Sequence, residues 1–518
     1  MEARDSCISR IVRMVACFVL IAVWLPVLFA QTPTSFDAHN KTILEKLHNI
    51  PLRVSNAVTE HQAGLVAKVW LHICPDLDSS QMSTGHIDAI IDSQGRRAVA
   101  FVVHVQPQGF IIIAAHNEIR PIIGYSKKNN FSMDESCANA ALSMVRTGLS
   151  LHIAALQEGA VRPSEISSAR ARWQEYLAYI DDDGEVIIDE NPGTLDGWDV
   201  EVGPLLTSNW SQSKVWNGSS YDAVWNYYTP PYAAGDPNNY VCGCVATAMG
   251  QILNYYEWPI SGTGSHTYTW DNGEDPAQEL SANFGATTYD WANTLDNYYT
   301  STTDVQRQSA GLLTYQCGVS VNMNYASSGS GANTSRVATS LGDFFRTSAL
   351  WRPNDDAGFF DDLYSTIINE RPGEMSIGGE CGGHAIVCDG VHHNTGGVKY
   401  YHLNFGWGGS SDGWYDISTD FEAGGCNWDE VRGCVIQVIP VPDLDDPGTT
   451  VSTTSFPVSW QVASLINADK YELQQSYVPE TLSDFFDGAE DGGENWTISG
   501  DWEVSSARQY TGSYSFRG

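Results

Sequence analysis

The spacing of hydrophobic and polar residues predicts both helices and strands in the first third of the chain. An amphipathic pattern predicts a helix over residues 63–71, and a longer helical period covers residues 138–156. Between them, residues 98–105 and 109–115 form two β-type runs around a short polar segment. This mixture predicts an α+β unit over residues 31–180.

A second patterned region lies between residues 204 and 440. After Cys244, apolar side chains recur at the spacing of one buried helical face, and Pro259 ends the helix. The apolar positions are Val245, Ala248, Met249, Ile252, Leu253 and Tyr256. Cys244 is therefore expected at the N-terminus of a helix.

Two further runs in this region alternate like strands, with the turn residues 394–397 between them. The first run begins near His384 and the second includes Asn404. A hairpin centred on Asn394 would place His384 directly opposite Asn404, with the Cβ atoms about 5 Å apart. The amide of Asn404 could then orient the imidazole of His384.

The amino end has the layout of a secretory signal. Basic residues at positions 4, 10 and 13 precede an apolar run from 14 to 30. Cleavage is expected near Ala30. The alternative is a permanent membrane anchor, because the run is close to the minimum length of a span. No later stretch reaches that length, so we expect a secreted or cell-surface protein without stable membrane association.

Two segments of the chain have the composition of linkers. Residues 181–203 are acidic and contain Gly and Pro, which indicates an interdomain linker, a processing site, or both. Residues 441–451 form a second such segment. The predicted organisation is a signal at 1–30, an α+β segment at 31–180, a main domain at 204–440 and a β-rich region at 452–518, in which β-sandwich units are incomplete.

Composition and charge restrict the possible partners. The chain has 518 residues, 42% of them hydrophobic, and a formal net charge of −35. At roughly 150 residues per domain, this length suggests about three folded units. The apolar content argues against disorder. Because negative charge repels phosphate, we expect neither nucleic acid nor an anionic membrane as a partner.

The eleven cysteines are unevenly distributed. Two lie in the predicted signal, and seven lie in the main domain: Cys242, Cys244, Cys317, Cys381, Cys388, Cys426 and Cys434. In an exported protein, this odd number suggests one free thiol beside possible disulfides.

Cys244 is the candidate for that thiol. Unpaired N–H groups and the dipole at a helix N-terminus stabilise a thiolate, which is what a thiol nucleophile requires. The alternative from this segment alone is a buried structural thiol or one half of a disulfide. His384 follows 140 residues later and could act as the base, with Asn404 as the third member of a catalytic group.

A zinc site is the competing use of the same residue types. Six candidate ligands occur close together in sequence: Cys381, His384, Cys388, His392, His393 and His402. Zinc ligands usually come in paired short spacings from turns. Here they are dispersed along strands and a turn, so we expect no metal. Peptide-bond hydrolysis by a thiol would need no other cofactor.

Six blocks of sequence, in order, resemble the streptopain family of secreted bacterial cysteine proteases, which have a papain-like fold. The resemblance covers about residues 204–440. Its blocks are 209–212 (NWSQ), 243–248 (GCVATA), 318–325 (GVSVNMNY), 327–330 (SSGS), 383–385 (GHA) and 402–409 (HLNFGWGG) followed by 411–413 (SDG). Residues 66–71, 109–115 and 121–126 also resemble the inhibitory pro-segment of that family.

The resemblance implies a role for each matched residue. Cys244 would be the nucleophile, His384 the general base and then acid, and Gln212 an oxyanion donor beside the Cys244 N–H. Asn404 would orient His384, and Trp407 would shield the pair from water. The cleft would be lined by Ser328, Gly329, Ser330 and Gly383, although residues 327–331 could equally be an ordinary surface loop. One departure from the family is Phe405, where a Trp usually follows the orienting Asn.

The sequence therefore predicts an exported zymogen. It comprises an α+β pro-segment, a papain-like α+β protease domain and a β-rich C-terminal region. Its expected partners are protein or peptide substrates and its own pro-segment as inhibitor. Two other functions remain open: a catalytically silent adhesion or carbohydrate-binding protein, and a thiol amidase or acyl transferase that uses the same residues. The segment 31–180 could also be a permanent binding domain.

Overall fold

The structure is a computed structural model. It describes residues 56–74, 77–135, 139–187, 198–378, 383–394, 398–417 and 431–444, and the short segments 460–461, 503–505 and 515–517. The predicted signal, Cys137, Cys381, Cys426 and most of the C-terminal region lie outside the described residues. No helix within the described residues is long and apolar enough to cross a membrane.

The helices and strands of the described residues confirm the α+β class. The helices are α1 (Glu60–Ile73), α2 (Ala140–Glu158), α3 (Pro163–Leu177), α4 (Cys244–Tyr256), α5 (Asp304–Ser320), α6 (Val337–Phe345) and α7 (Phe359–Ile368). Short 3₁₀ turns occur at Phe284–Ala286, Trp291–Asn293 and Thr334–Arg336. The helical patterns over 63–71, 138–156 and after Cys244 correspond to α1, α2 and α4.

The strands of the first part of the chain are β1 (Ser83–Ile91), β2 (Ala98–Gln106), β3 (Phe110–Ala114), β4 (Ile122–Ser126), β5 (Trp198–Val202), β6 (Lys214–Trp216), β7 (Tyr221–Ala223), β8 (His266–Trp270) and β9 (Gln278–Ala282). Those that follow are β10 (Thr347–Pro353), β11 (Gly373–Ile377), β12 (His384–Asn394), β13 (Lys399–Asn404), β14 (Gly413–Tyr415), β15 (Val431–Pro440), β16 (Asp443–Leu444), β17 (Trp460–Gln461), β18 (Glu503–Ser505) and β19 (Ser515–Arg517).

One antiparallel sheet of 11 strands runs through both main parts of the molecule. Its order is β1-β2-β3-β4-β14-β13-β12-β11-β15-β10, and β5 pairs with β12 beside this path. The junction is the β4–β14 pair, in which Tyr125 faces Trp414 and Gly124 faces Tyr415. Strands of the predicted pro-segment therefore extend the sheet of the predicted protease domain.

Gly124 is required for the close approach at this junction. A Cβ at position 124 would lie 2.7 Å from the Trp414 carbonyl oxygen and 2.8 Å from a ring carbon of Tyr415. Real Cβ atoms do not approach other atoms that closely, so a side chain here would push β4 away from β14.

The two faces of the sheet are covered by separate hydrophobic cores. On strand β12, Ala385 and Val387 pack with α4 and α5, whereas Ile386 and Cys388 face the opposite core. The opposite core also contains residues of α1, α2 and strands β2–β4. Because successive strand residues point to opposite faces, β12 lies between the core of the pro-segment and the core that supports α4.

The predicted hairpin forms, but its predicted register is wrong. β12 pairs with β13 so that Val387, not His384, faces Asn404. The loop is centred near residue 396 rather than Asn394, since His393 faces Lys399. An irregularity between Cys388 and Gly390 then shifts the pairing once more.

Asp389 provides the physical reason for this irregularity. Its buried carboxylate bonds to His402 Nδ1 at 2.6 Å and accepts from the Leu206 N–H at 2.9 Å. Its backbone oxygen accepts from the Leu205 N–H at 2.8 Å. The bulge therefore docks the segment that enters the main domain, a tertiary contact that the hairpin sequence does not contain.

Two predicted linkers contain regular structure. Residues 198–202, within the acidic segment 181–203, form β5 and pair with β12. Residues 443–444, within the segment 441–451, form β16 and pair with β17. In the C-terminal region the structure describes only β17 and the β18–β19 pair, so the β-sandwich prediction there stays a prediction.

The six described cysteines are all free thiols: Cys74, Cys242, Cys244, Cys317, Cys388 and Cys434. The disulfides that the sequence left possible are therefore not formed among them.

Candidate active site

The helix α4 places Cys244 at its first residue, as predicted. The preceding Gly243 has φ 89°, and a Cβ there would lie 2.7 Å from the sulfur of Met323 and 3.0 Å from the Ser330 carbonyl oxygen. Glycine is thus required by both conformation and space. The same contact brings the loop that contains Ser330 next to the start of the helix.

Cys244 and Cys242 differ in their access to solvent. Cys244 is partly exposed, whereas Cys242 is fully buried and its sulfur lies 3.2 Å from the Thr247 hydroxyl. Burial raises the pKa of Cys242 to about 12. Of the two cysteines at the helix start, only Cys244 can therefore meet a substrate.

Burial and nearby backbone N–H groups have opposite effects on the pKa of Cys244. Burial raises the pKa of the Cys244 thiol, while hydrogen bonds from the N–H groups of Ala385, Val245 and Cys244 itself lower it. The Ala385 contact brings the thiol beside the residue that follows His384. The start of α4, which carries Cys244, therefore lies beside the start of β12, which carries His384.

His384 is fixed by a backbone carbonyl and an aromatic ring. Its Nε2 lies 2.9 Å from the Phe405 oxygen, and its ring centroid lies 4.8 Å from that of Trp407. A carbonyl only accepts hydrogen bonds, so Nε2 carries the proton and Nδ1 is left to accept one. Burial lowers the pKa of His384 to about 4, against the opposing effect of the Phe405 hydrogen bond.

Asn404 does not make the predicted contact with His384. Its amide nitrogen donates to the Ser208 carbonyl at 3.0 Å. Its amide oxygen accepts from Gln251 Nε2 at 3.1 Å and from the Gly406 N–H at 3.0 Å. Because of the register shift, Asn404 ties strand β13 to α4 and to the segment before Trp210, and the Phe405 carbonyl takes the position beside His384.

Gln212 lies beside the chain that leads into α4. Its backbone oxygen accepts from the Cys242 N–H at 2.8 Å, and its side chain is partly buried. The neighbouring Ser211 carbonyl is 3.5 Å from the Thr247 hydroxyl on the first turn of α4. This position is close to the helix N-terminus that carries Cys244.

The predicted cleft-lining residues differ in exposure. Ser328, Gly329 and Gly383 are exposed and Trp407 is partly exposed. Ser330 is partly buried, and its hydroxyl has no hydrogen-bond partner among the described residues. Two hydrogen bonds between Asn324 and Gly331, at 2.9 and 3.1 Å, close the loop at its base.

The candidate ligands of the alternative zinc site each bond to a different partner. His384 bonds to Phe405 and His402 to Asp389, while His392 Nδ1 lies 2.9 Å from the Tyr125 hydroxyl. Among the described side chains of this stretch, no three lie close enough together to hold a metal ion.

Sequence reasoning assigned no role to Asp412 or Glu374. Asp412 accepts from the Phe405 N–H at 2.8 Å and thereby holds the residue whose carbonyl fixes His384. Burial raises the pKa of Asp412 to about 7.

Glu374 is fully buried on β11. Burial, and to a smaller extent the Cys244 thiol, raises the pKa of Glu374 well above its ordinary value. A charged residue in an apolar strand is the signal that could have identified Glu374.

The chain has similarity to known proteases and to a protease inhibitor. Residues 210–415 match the Peptidase C10 family, and residues 55–147 match the Spi protease inhibitor. Streptopain from Streptococcus pyogenes is 32% identical over 185 residues, which are 34% of this chain and 46% of that protein. The thiol protease/hemagglutinin PrtT from Porphyromonas gingivalis is 26% identical over 381 residues, which are 70% of this chain and 39% of that protein.

Among solved structures, a fragment of prointerpain A from Prevotella intermedia is 26% identical, with a TM-score of 0.49. The similarity covers 68% of this chain and 98% of that fragment. The chain spans less than half the length of the curated relatives described above. The two family matches and the curated relatives confirm the resemblance of this chain to the streptopain-like family of cysteine proteases.

Proposed function

We propose that the protein is an exported cysteine endopeptidase made as an inactive precursor. The observation that carries this proposal is the packing of Cys244 against the buried core that includes Ala385, the residue after His384. It joins a thiol at a helix start to the strand end that holds His384.

In the proposed reaction, Nδ1 of His384 takes the proton of the Cys244 thiol, and the sulfur attacks the peptide carbonyl. The imidazolium then gives its proton to the leaving amine, and water hydrolyses the resulting thioester. The Cys244 N–H and the Gln212 side chain would stabilise the oxyanion. The Phe405 carbonyl, held by Asp412, would orient His384, while Asn404 would fix the neighbouring backbone.

The substrate cleft is proposed to lie between Gly383 and Trp407 on one side and the Ser328–Gly329–Ser330 loop on the other. The position of the Ser330 carbonyl, 3.0 Å from where a Cβ of Gly243 would lie, supports this, because it places the loop next to the start of the nucleophile helix. Protein or peptide chains are the proposed substrates.

The pro-segment is proposed to keep the precursor inactive. Asn130 accepts at its carbonyl from the Ser411 N–H at 2.9 Å, and the Asn129 amide donates to the Asp412 carbonyl at 3.3 Å. These contacts fall on the loop that joins Trp407 to β14. A segment bound to this loop can control the positions of Trp407 and Phe405 relative to His384.

Activation would require a cut within the acidic segment 181–203. The exposed residues Asp181, Asp182 and Asp183 begin this segment, and exposed polar linkers are readily cleaved. A cut before Trp198 would leave β5 attached to β12 in the mature domain. Export through a signal at 1–30, and an accessory role for residues 452–518, complete the proposal.

The deciding experiment compares Cys244→Ala with Cys242→Ala, a matched loss of a thiol two residues away. We expect Cys244→Ala to lower kcat/KM on casein by about 10⁶ while the circular dichroism spectrum is unchanged. Cys242→Ala should keep activity within about tenfold, because a buried thiol contributes packing and no chemistry. Iodoacetamide should label Cys244 stoichiometrically in the activated protein.

The other candidate functions give different results. Unlabelled Cys244 and no release of amino groups from casein would indicate a catalytically silent adhesion or carbohydrate-binding protein. Release of ammonia or formation of crosslinks would indicate an amidase or acyl transferase. Full activity of Cys244→Ala would overturn the assignment of the nucleophile.

A further inference from the structure

Three potential metal ligands meet on the edge hairpin of the pro-segment, far along the sheet from Cys244. His86 and Asp88 lie on β1, the first strand of the sheet, and His104 lies on β2. Nε2 of His104 is 2.9 Å and Nε2 of His86 is 3.4 Å from the same carboxylate oxygen, Oδ2 of Asp88. The three ligand atoms all lie within 4.8 Å of one another.

The local strand geometry places these side chains on one face. The pairing of β1 with β2 has an irregularity between Thr84 and Ile87, which face Val105 and Val103. Residues 85 and 86 therefore oppose His104 alone, an arrangement typical of a bulge. The Ile87 side chain packs toward Gly64 of α1, so His86 and Asp88 point to the other face.

A hydrogen bond accounts for the approach of His104 to Asp88. It does not account for the position of the His86 ring. The two imidazole rings are stacked, with centroids 3.9 Å apart and an angle of 12° between their planes. Two imidazolium ions in this arrangement would repel each other. Nε2 of both rings nevertheless lies within 3.4 Å of the same carboxylate oxygen. Two nitrogens and one oxygen this close together can share a cation that replaces their protons, once the exposed His86 ring turns out of the stack.

The separations fit a small transition-metal ion. Bonds of about 2.0–2.1 Å in a tetrahedral zinc site put the ligand atoms about 3.3 Å apart, close to the two distances to Asp88 Oδ2. Imidazole nitrogen favours zinc and similar ions over calcium or magnesium, which prefer oxygen. The side chains of His86, Asp88 and His104 are 65%, 41% and 14% exposed, so an ion can enter from solvent and keep water as its fourth ligand.

We propose that His86, Asp88 and His104 form a zinc-type site on the pro-segment, with two imidazole nitrogens and one carboxylate oxygen as ligands. Such an ion joins β1 to β2 at the open edge of the sheet. Because binding to the folded form alone stabilises that form, the ion would stabilise the pro-segment without contacting the thiol or imidazole of the candidate active site.

The test uses the full-length Cys244→Ala protein, which removes the partly exposed thiol and any self-cleavage. Zn²⁺ is titrated by calorimetry at pH 7.5, and Co²⁺ by visible absorption. We expect one Zn²⁺ per chain at micromolar affinity, and a Co²⁺ spectrum without the intense thiolate charge-transfer band. Substitution of one ligand, by His86→Ala or Asp88→Asn, should weaken binding about tenfold or more.

His61→Ala is the matched control, since His61 is an exposed histidine of the same pro-segment outside the cluster. It should leave the affinity unchanged. Unfolding midpoints in EDTA should be equal for the parent, His86→Ala and His61→Ala, and Zn²⁺ should raise the midpoints of the parent and His61→Ala but not that of His86→Ala. Affinity no better than millimolar, equal binding by His86→Ala and the parent, or a thiolate band with Co²⁺ would each overturn the proposal.

Discussion

At the residue scale, the candidate nucleophile and base both favour their uncharged forms while the pro-segment is in place. Burial raises the pKa of Cys244 and lowers the pKa of His384 to about 4. At neutral pH both groups are therefore uncharged, and an uncharged thiol is a weak nucleophile. If the precursor is activated as proposed, activation would have to increase the solvation of the two groups or admit substrate dipoles to favour a thiolate and an imidazolium.

Gln212 gives a prediction about the transition state. Charge on the carbonyl oxygen develops only as the sulfur attacks, so a donor at this place acts mainly on kcat. We expect Gln212→Ala to lower kcat by about 10²–10³ with little change in KM. Steady-state kinetics on a peptide substrate measure both constants. An unchanged kcat would identify Gln212 as an ordinary polar residue at the start of the domain.

Asn404 is expected to affect stability as well as activity. Asn404→Ala leaves three groups without their present partner: the Ser208 carbonyl, Gln251 Nε2 and the Gly406 N–H. Unsatisfied buried groups of this kind cost about 1–3 kcal/mol. We expect a lower free energy of unfolding and a fall in kcat smaller than that of Cys244→Ala. Loss of activity as complete as in Cys244→Ala, without any loss of stability, would argue for direct action on His384.

At the scale of elements, the amphipathic patterns were sufficient to predict α1, α2, α4 and the hairpin of β12 and β13. Hydrophobic period and turn residues are local properties, and they determine an element without its neighbours. The register was not predictable, because the bulge at Asp389 forms around Leu205 and Leu206, which are distant in sequence. The contact of the Phe405 carbonyl with His384 was not predictable either. Every residue has a backbone carbonyl, so nothing in the sequence distinguishes this one.

Strand β11 carries a buried acid whose effect depends on pH. The carboxyl oxygens of Glu374 have no hydrogen-bond partner among the described residues. Its folded pKa lies above the unfolded value, so its contribution to stability is fully present below about pH 4.5 and is lost as pH rises toward the folded pKa. We expect Glu374→Gln to have a larger free energy of unfolding than the parent. This margin should grow as pH rises, by up to about 1.4 kcal/mol per pH unit.

Urea unfolding of Cys244→Ala protein between pH 5 and pH 8 measures this margin. Glu279→Gln on β9 is the control, because Glu279 is exposed, and its margin should stay near zero. Parallel curves for the parent and Glu374→Gln across this range would contradict a protonated Glu374 in the folded protein.

At the scale of the whole molecule, the pro-segment is built into the sheet. Its strands share a hydrophobic core with β11–β15, and Arg120 bonds to Asp416 at 3.1 Å across the same boundary. Inhibition by the pro-segment would therefore depend on the fit of β4 against β14 as much as on contacts near Cys244.

A side chain at position 124 tests this dependence. Gly124→Val should loosen β4 from β14 by contact with the Trp414 carbonyl and the Tyr415 ring, and so speed the shortening of the precursor. Gly95→Ala is the control: a Cβ at Gly95 meets nothing within 4 Å, although this glycine has positive φ, at 67°, unlike Gly124. Timed gel electrophoresis of both variants, each with Cys244 intact, gives the processing rates. Equal rates for Gly124→Val and the parent would mean that the junction does not govern activation.

The shared sheet also determines what dilution does after the chain is cut. While the segment 181–203 is intact, β4 meets β14 within one molecule, at an effective concentration in the millimolar range for a short linker. Once it is cut, the same pairing becomes an encounter between two molecules and depends on how much of each is present. Release into a large volume would then favour dissociation without any further change in the protein, so cleavage and dilution together would set the moment at which the site opens.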